Sequence, residues 1–207
     1  MHQKILRFRV SLSGSEPEIW REIDVPDHYN FWELHVAIQD AMGWLDYHLH
    51  EFSPRKAGPT KGKRIGLPES EHDESIIAGW ELSAKKYFTS LGNTIDYVYV
   101  YDFGDSWHHE ITLVGMFLAP LDSTFPQCLD GKMACPPEDS GGLYGYQSVL
   151  EILSDQSHEE YVDTVEWLKN HAKNYWPYDQ HAFSPKKVEF SDPYLRWCNA
   201  FNQPYQP

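Results

Sequence analysis

The chain has 207 residues, 41% of them hydrophobic and 15% aromatic, with eight Trp, thirteen Tyr and ten Phe. A single unit of this size buries roughly 70% of its unfolded surface, which excludes disorder throughout and removes the need for disulfide or metal staples. Seventeen basic against 31 acidic side chains give a net charge of −14, so the averaged field repels phosphate backbones and anionic lipid.

From Lys4 to Leu12 apolar and basic residues alternate, with Leu6, Phe8, Val10 and Leu12 on one face and Arg7 and Arg9 on the other: a half-buried strand. MHQKILRFRV at residues 1–10 lacks the apolar core of a signal peptide, and no window approaches the roughly 18 apolar residues that span a bilayer, so a cytoplasmic location is expected. After the turn SGSEP, Ile19, Arg21, Ile23 and Val25 alternate with Trp20, Glu22 and Asp24, which predicts a strand returning as a hairpin. Asn30 and Glu33 have the spacing of a capping box, and Phe31, Leu34, His35, Ile38, Ala41 and Met42 recur at helical spacing up to Gly43. His35, on the apolar face of that helix, reads as a packed, hydrogen-bonded histidine.

GWLDYHLHEF reads as extended, placing Asp46, His48 and His50 on one face. Residues 53 to 80 have no sustained period and read as a long loop. Its basic cluster, Arg55, Lys56, Lys61, Lys63 and Arg64, is the one candidate nucleic-acid contact, although a solvated loop is the simpler reading. A short helix is expected from Leu82 to Leu91. Ile95 to Tyr101 forms a strand with Tyr97, Tyr99 and Tyr101 on one face; DFGDS makes a turn; residues 107 to 114 return with Trp107, His109, Ile111 and Leu113 on one face and His108, Glu110 and Thr112 on the other. Adjacent histidines therefore cannot serve one site without a bulge.

Beyond Pro120 the segment FPQCLDGKMACPPEDSGGLYGY is rich in Gly and Pro and reads as irregular. Cys128, Cys135 and Cys198, an odd number at unpaired spacings, fit a reducing compartment. Helices are expected from Tyr146 to Leu153 and after a Ser157/Glu160 capping box, and a short strand from Phe183 to Phe190. There is no internal repeat. The order of elements predicts one α+β domain over residues 1–207, with a β-grasp-like mixed sheet, C-terminal helices packed on it and a subdomain seam near residue 120.

EIWREIDVP, LHVAIQDAMGWLDYHLHEF, YVYDFGDSWHHEITL and CPPEDSGGLYGY, in this order, resemble the plasmid pRiA4b ORF-3-like family over roughly residues 4 to 190. The resemblance implies occurrence on plasmids, mobile elements and chromosomes and carries no catalytic residue, since the family's function is unknown; some members bear a resolvase label. Members often read Cys-Pro-Pro-Glu-Asp-Cys where this chain has Ser140, which argues against a cysteine zinc site here.

Two classes of function compete. A non-catalytic binding or interaction module would present aromatics from Trp44, Tyr99, Trp107, Tyr144 and Tyr146 to a protein or small-molecule partner and would need no cofactor. A metal-dependent hydrolase would gather His48 and His50 with Asp105 or His108 around a divalent ion, within a polar cluster that also holds Asp102. Against the second, these groups could bond to turn amides and Tyr hydroxyls and fix strand register. The DFG triplet lacks every other kinase element, Cys135, Ser106 and Ser140 lack a nucleophile's setting, and adjacent Glu138 and Asp139 read as a turn or helix cap. A resolvase would need arginines grouped around a nucleophile, and they are scattered. The binding module is the favoured expectation.

Overall fold

The computed structural model describes residues 3–55, 62–68, 73–88 and 95–201. Within them run β1 (Lys4–Leu12), β2 (Trp20–Pro26), α1 (Phe31–Met42), β3 (His50–Pro54), β4 (Arg64–Gly66), β5 (Ile76–Ala78), α2 (Ala84–Phe88), β6 (Ile95–Tyr101) and β7 (Trp107–Leu118). They are followed by β8 (Gln127–Lys132), α3 (Gly142–Ser154), α4 (Tyr161–Asn170) and α5 (Pro193–Phe201). The eight strands form one mixed sheet in the order β5-β4-β3-β6-β7-β1-β2-β8, antiparallel except for the parallel pair β4 and β5. The protein is thus α+β.

The alternation in β1 and β2 gives the sheet two unlike faces. Leu6, Phe8, Val10, Ile23 and Val25 are buried, whereas on the opposite face Arg7 holds Asp24 at 2.8 Å and Arg9 holds Glu18 at 2.9 Å. α1 covers the apolar face. Its start is the expected reciprocal cap, with Asn30 Oδ1 accepting the Glu33 N–H at 2.9 Å and Glu33 Oε2 accepting the Asn30 N–H at 2.8 Å. Gly43 ends it at φ +88°, a left-handed conformation natural to glycine. The core between them is largely aromatic: Phe31 meets Phe52, Phe88 and Tyr97 within 5.6 Å, centre to centre. His35 is fully buried there, as its place on the helix predicts, with Nδ1 2.8 Å from Tyr99 Oη.

Several expectations are corrected. The long loop between residues 53 and 80 contains β4 and β5, each three residues long and too short to show a period; Lys56 and Lys61 of the basic cluster lie outside the described residues. The described part of the 82–91 helix is the five residues of α2. β7 extends four residues beyond the expected Val114, and the region after Pro120, read as irregular, adds β8 to the edge of the sheet beside β2. α3 starts four residues earlier than Tyr146, and the Ser157/Glu160 cap does not form, because Ser157 bonds to Asp155 instead. Residues 183 to 190 hold a 3-10 turn at Pro185–Lys187, not a strand. No helix among the described residues is long and apolar enough to cross a membrane.

Candidate polar site at the β6–β7 turn

The hairpin read from YVYVYDFGDSWHHE is present, with Tyr101 opposite Trp107 and Tyr99 opposite His109. Asp102 and Ser106 close its turn in left-handed conformations, φ +56° at each, and Asp102 Oδ1 accepts the Gly104 N–H at 2.8 Å. Aspartate tolerates this region because its short side chain bonds to the local backbone. Tyr97, Tyr99, Tyr101, Trp107 and His109 face the core and His108 faces solvent, so the two adjacent histidines do go to opposite sides.

Two other segments converge on this turn. The first, residues 44 to 49, is not the expected strand: Asp46 adopts φ +64° and breaks the alternation, and regular pairing begins only at His50. It is pinned by the Asp102 N–H donating to Leu49 O at 2.9 Å and the Tyr47 N–H donating to Tyr101 Oη at 2.9 Å. The second is Pro136 to Gly142. Buried Glu138 accepts the Tyr101 hydroxyl at 2.6 Å and the Leu45 N–H at 2.8 Å, while Trp44 Nε1 donates to Pro136 O at 3.0 Å. Burial, reinforced by the bond to Glu138, raises the Tyr101 phenol far above its ordinary range, so it remains a donor. Asp105 Oδ2 accepts the Gly141 N–H at 3.0 Å, and a side-chain carbon on Gly142 would lie 2.5 Å from Asp105 O, so the turn and the start of α3 are in direct contact.

This assembly brings His48 between two carboxylates. His48 Nε2 is 2.9 Å from Asp139 Oδ1 and 3.6 Å from Asp102 Oδ2, and the three side-chain donor atoms all lie within 4.8 Å of one another. Behind Asp139, His171 Nε2 is 3.6 Å from Oδ2. Asp102 is buried; His48 and Asp139 are partly open to water.

The sequence-predicted metal set His48, His50, Asp105 and His108 does not converge. His50 turns into the core and stacks on His35 with ring centres 3.4 Å apart; Asp105 is used by the Gly141 N–H; His108 points away from the core. Burial, with His35 alongside, keeps His50 neutral well below the ordinary imidazole range. Burial alone would raise Asp46, but His35 at 3.0 Å and Arg196 at 3.3 Å outweigh it and hold its carboxyl far below the carboxylate range. Of the candidate binding aromatics, Trp44, Tyr99, Trp107 and Tyr146 are buried and only Tyr144 is open, at 91% exposure. Rings placed by strand alternation on the helix-covered face become core. In the basic cluster Arg55 pairs with Glu110 at 2.7 Å and Arg64 with Glu51 at 2.8 Å.

His171 is not a candidate from sequence, and Asp139, beside Glu138, reads there only as part of a turn or helix cap. The one available signal is that CPPED lies among the phrases that carry the family resemblance.

Comparison with known proteins agrees with that resemblance. The chain is 36% identical over 167 residues to uncharacterized protein y4hQ of Sinorhizobium fredii (strain NBRC 101917 / NGR234), covering 81% of this chain and 82% of that one. Its fold matches the crystal structure of MM3350 from Methanosarcina mazei Go1, a protein of unknown function, with a TM-score of 0.79 and 38% identity over 92% of this chain and all of that one. The model of the plasmid pRiA4b ORF-3-like protein family matches residues 4–187, a span that includes His48, Asp102, Asp139 and His171. The chain belongs to the plasmid pRiA4b ORF-3-like family.

Proposed function

We propose that the protein is a non-catalytic binding module: a β-grasp-like hairpin, helix and hairpin core that presents an apolar recognition rim to a peptide or protein segment bearing apolar side chains. One observation carries this reading. Leu45, Tyr47, Leu49, Phe103 and Tyr144 are 36%, 58%, 54%, 50% and 91% exposed; the first four stand on the 44–49 segment and the β6–β7 turn, which the Asp102 and Glu138 contacts tie together, and Tyr144 on the first turn of α3, which Asp105 holds against that turn. Leu49 and Phe103 also line one cavity of about 410 Å³, together with His50, Arg64 and Ile76. Isolated exposed apolar residues are ordinary, but a group of them on pinned backbone is a surface already ordered for contact, so association costs little conformational entropy. Tyr and Phe suit such a role because each buries a large area with few rotatable bonds.

Selection from a random-peptide display library on the immobilised protein tests the proposal. It should enrich sequences sharing one or more aromatic or aliphatic anchors, and Tyr47→Ser combined with Phe103→Ser should weaken their binding at least tenfold. No shared sequence, or unchanged affinity in the double variant, would count against it.

A further inference from the structure

We propose that His48 Nε2, Asp102 Oδ2 and Asp139 Oδ1 form a site for one exchangeable divalent transition ion. The proposal stands on donor geometry and does not depend on the nature of any macromolecular partner. An ion about 2.1 Å from each donor places neighbouring donors about 3.0 Å apart in an octahedral set and about 3.4 Å apart in a tetrahedral one. The observed separations of 2.9 Å and 3.6 Å from His48 Nε2 to the two carboxylates fall around these values.

The three donors come from separate parts of the chain, and each is held by contacts of its own. His48 lies between Tyr47 and Leu49, both bonded to the end of β6 and its turn. Asp102 commits Oδ1 to the Gly104 N–H, which leaves Oδ2 for His48. Asp139 follows Glu138, which is fixed by Tyr101 and Leu45. Its second oxygen faces the buried side chain of His171. His171 Nδ1 accepts the Lys173 N–H at 3.2 Å, so a neutral imidazole carries its proton on Nε2, directed at that oxygen. Carboxylate ligands of protein-bound metals are themselves held by outer partners, and His171, 3.6 Å from the far oxygen of Asp139, stands in that position.

The charge and donor set indicate the kind of ion. Two carboxylates beside one imidazole sum to −2 with His48 neutral, within a chain of net charge −14, and a divalent cation balances them. An imidazole with two carboxylates and a side open to water suits Mn²⁺, Co²⁺ or Zn²⁺ better than Ca²⁺ or Mg²⁺, which favour oxygen donors. The side chains of His48 and Asp139 are 31% and 49% exposed, so water or a ligand oxygen could complete the coordination.

The test is calorimetric titration of chelator-treated full-length protein with MnCl₂, with the loss of the free Mn²⁺ electron paramagnetic resonance signal as a second readout. The expected result is one ion per chain, with at least tenfold weaker binding in His48→Ala and in Asp139→Asn, and unchanged binding in His108→Ala. Asp139 is at the surface, and asparagine tolerates its left-handed φ of +60°, so the D139N variant should fold; its thermal transition verifies this. A wild-type protein that binds no stoichiometric ion, or one whose affinity neither H48A nor D139N lowers, would overturn the proposal.

Discussion

His109 shows how strongly position outweighs residue type in this chain. It lies in the core beside Trp44, with ring centres 5.3 Å apart, and burial lowers its pKa to about 3 even though the Tyr99 and Trp107 backbone favours the charged form. The unfolded chain takes up this proton near pH 6.5 and the folded one does not until about pH 3, so the stabilisation is complete above 6.5 and is lost as pH falls. Between pH 7 and pH 5 His109 alone should remove about 2 kcal/mol of stability, and buried His50 acts in the same direction. Urea unfolding at the two pH values checks this; in His109→Gln the drop should shrink by about that amount. Glu138 makes the same point differently. In sequence it is half of an acidic pair that reads as a solvated turn, yet it is 1% exposed and satisfied by the Tyr101 hydroxyl and the Leu45 N–H. A buried carboxylate with these partners is a clamp.

Among the elements, the contact between the β6–β7 turn and α3 sets the position of Asp139 and leaves no room for a side chain on Gly142. Gly142 adopts φ +69°, and an added side-chain carbon would sit 2.5 Å from Asp105 O. Gly142→Ala should therefore cost roughly 1–3 kcal/mol and loosen the turn. Denaturant unfolding measures the loss, and faster hydrogen exchange at Gly104 and Gly141 should accompany it. β1, β2, α1, β6 and β7 were legible because alternation, helical spacing and capping chemistry are local signals that their packing reinforces. β4 and β5 were not, since three residues cannot display a period, and β8 was masked by the Gly and Pro around it. The site was half legible for a similar reason. Asp102 belongs to a turn that its residue chemistry announces and His48 stands out beside His50, but His48 meets Asp139 across 91 positions, a pairing with no trace in local pattern. Asp46 misled the reading of its own segment by taking a left-handed conformation in the middle of an apparent strand.

For the molecule as a whole, the sheet has one face filled by α1 and its aromatic core and one laced by Arg–carboxylate pairs, which leaves the ends of the strands as the place where unlike segments can meet. β8 ties the region after Pro120 to β2, and Pro136 to Asp139 reach back to Trp44 and Tyr101, so the polar site draws on well-separated parts of the 4–187 span that matches the family. Among the described residues this long-range closure brings together one set of converging His and Asp donors beside an ordered apolar rim. Anomalous diffraction from crystals soaked in MnCl₂ is the sharpest check of this arrangement. A single strong peak is expected about 2.2 Å from His48 Nε2, Asp102 Oδ2 and Asp139 Oδ1. Diffraction showing those three side chains apart, or manganese bound elsewhere with this position vacant at saturation, would contradict it.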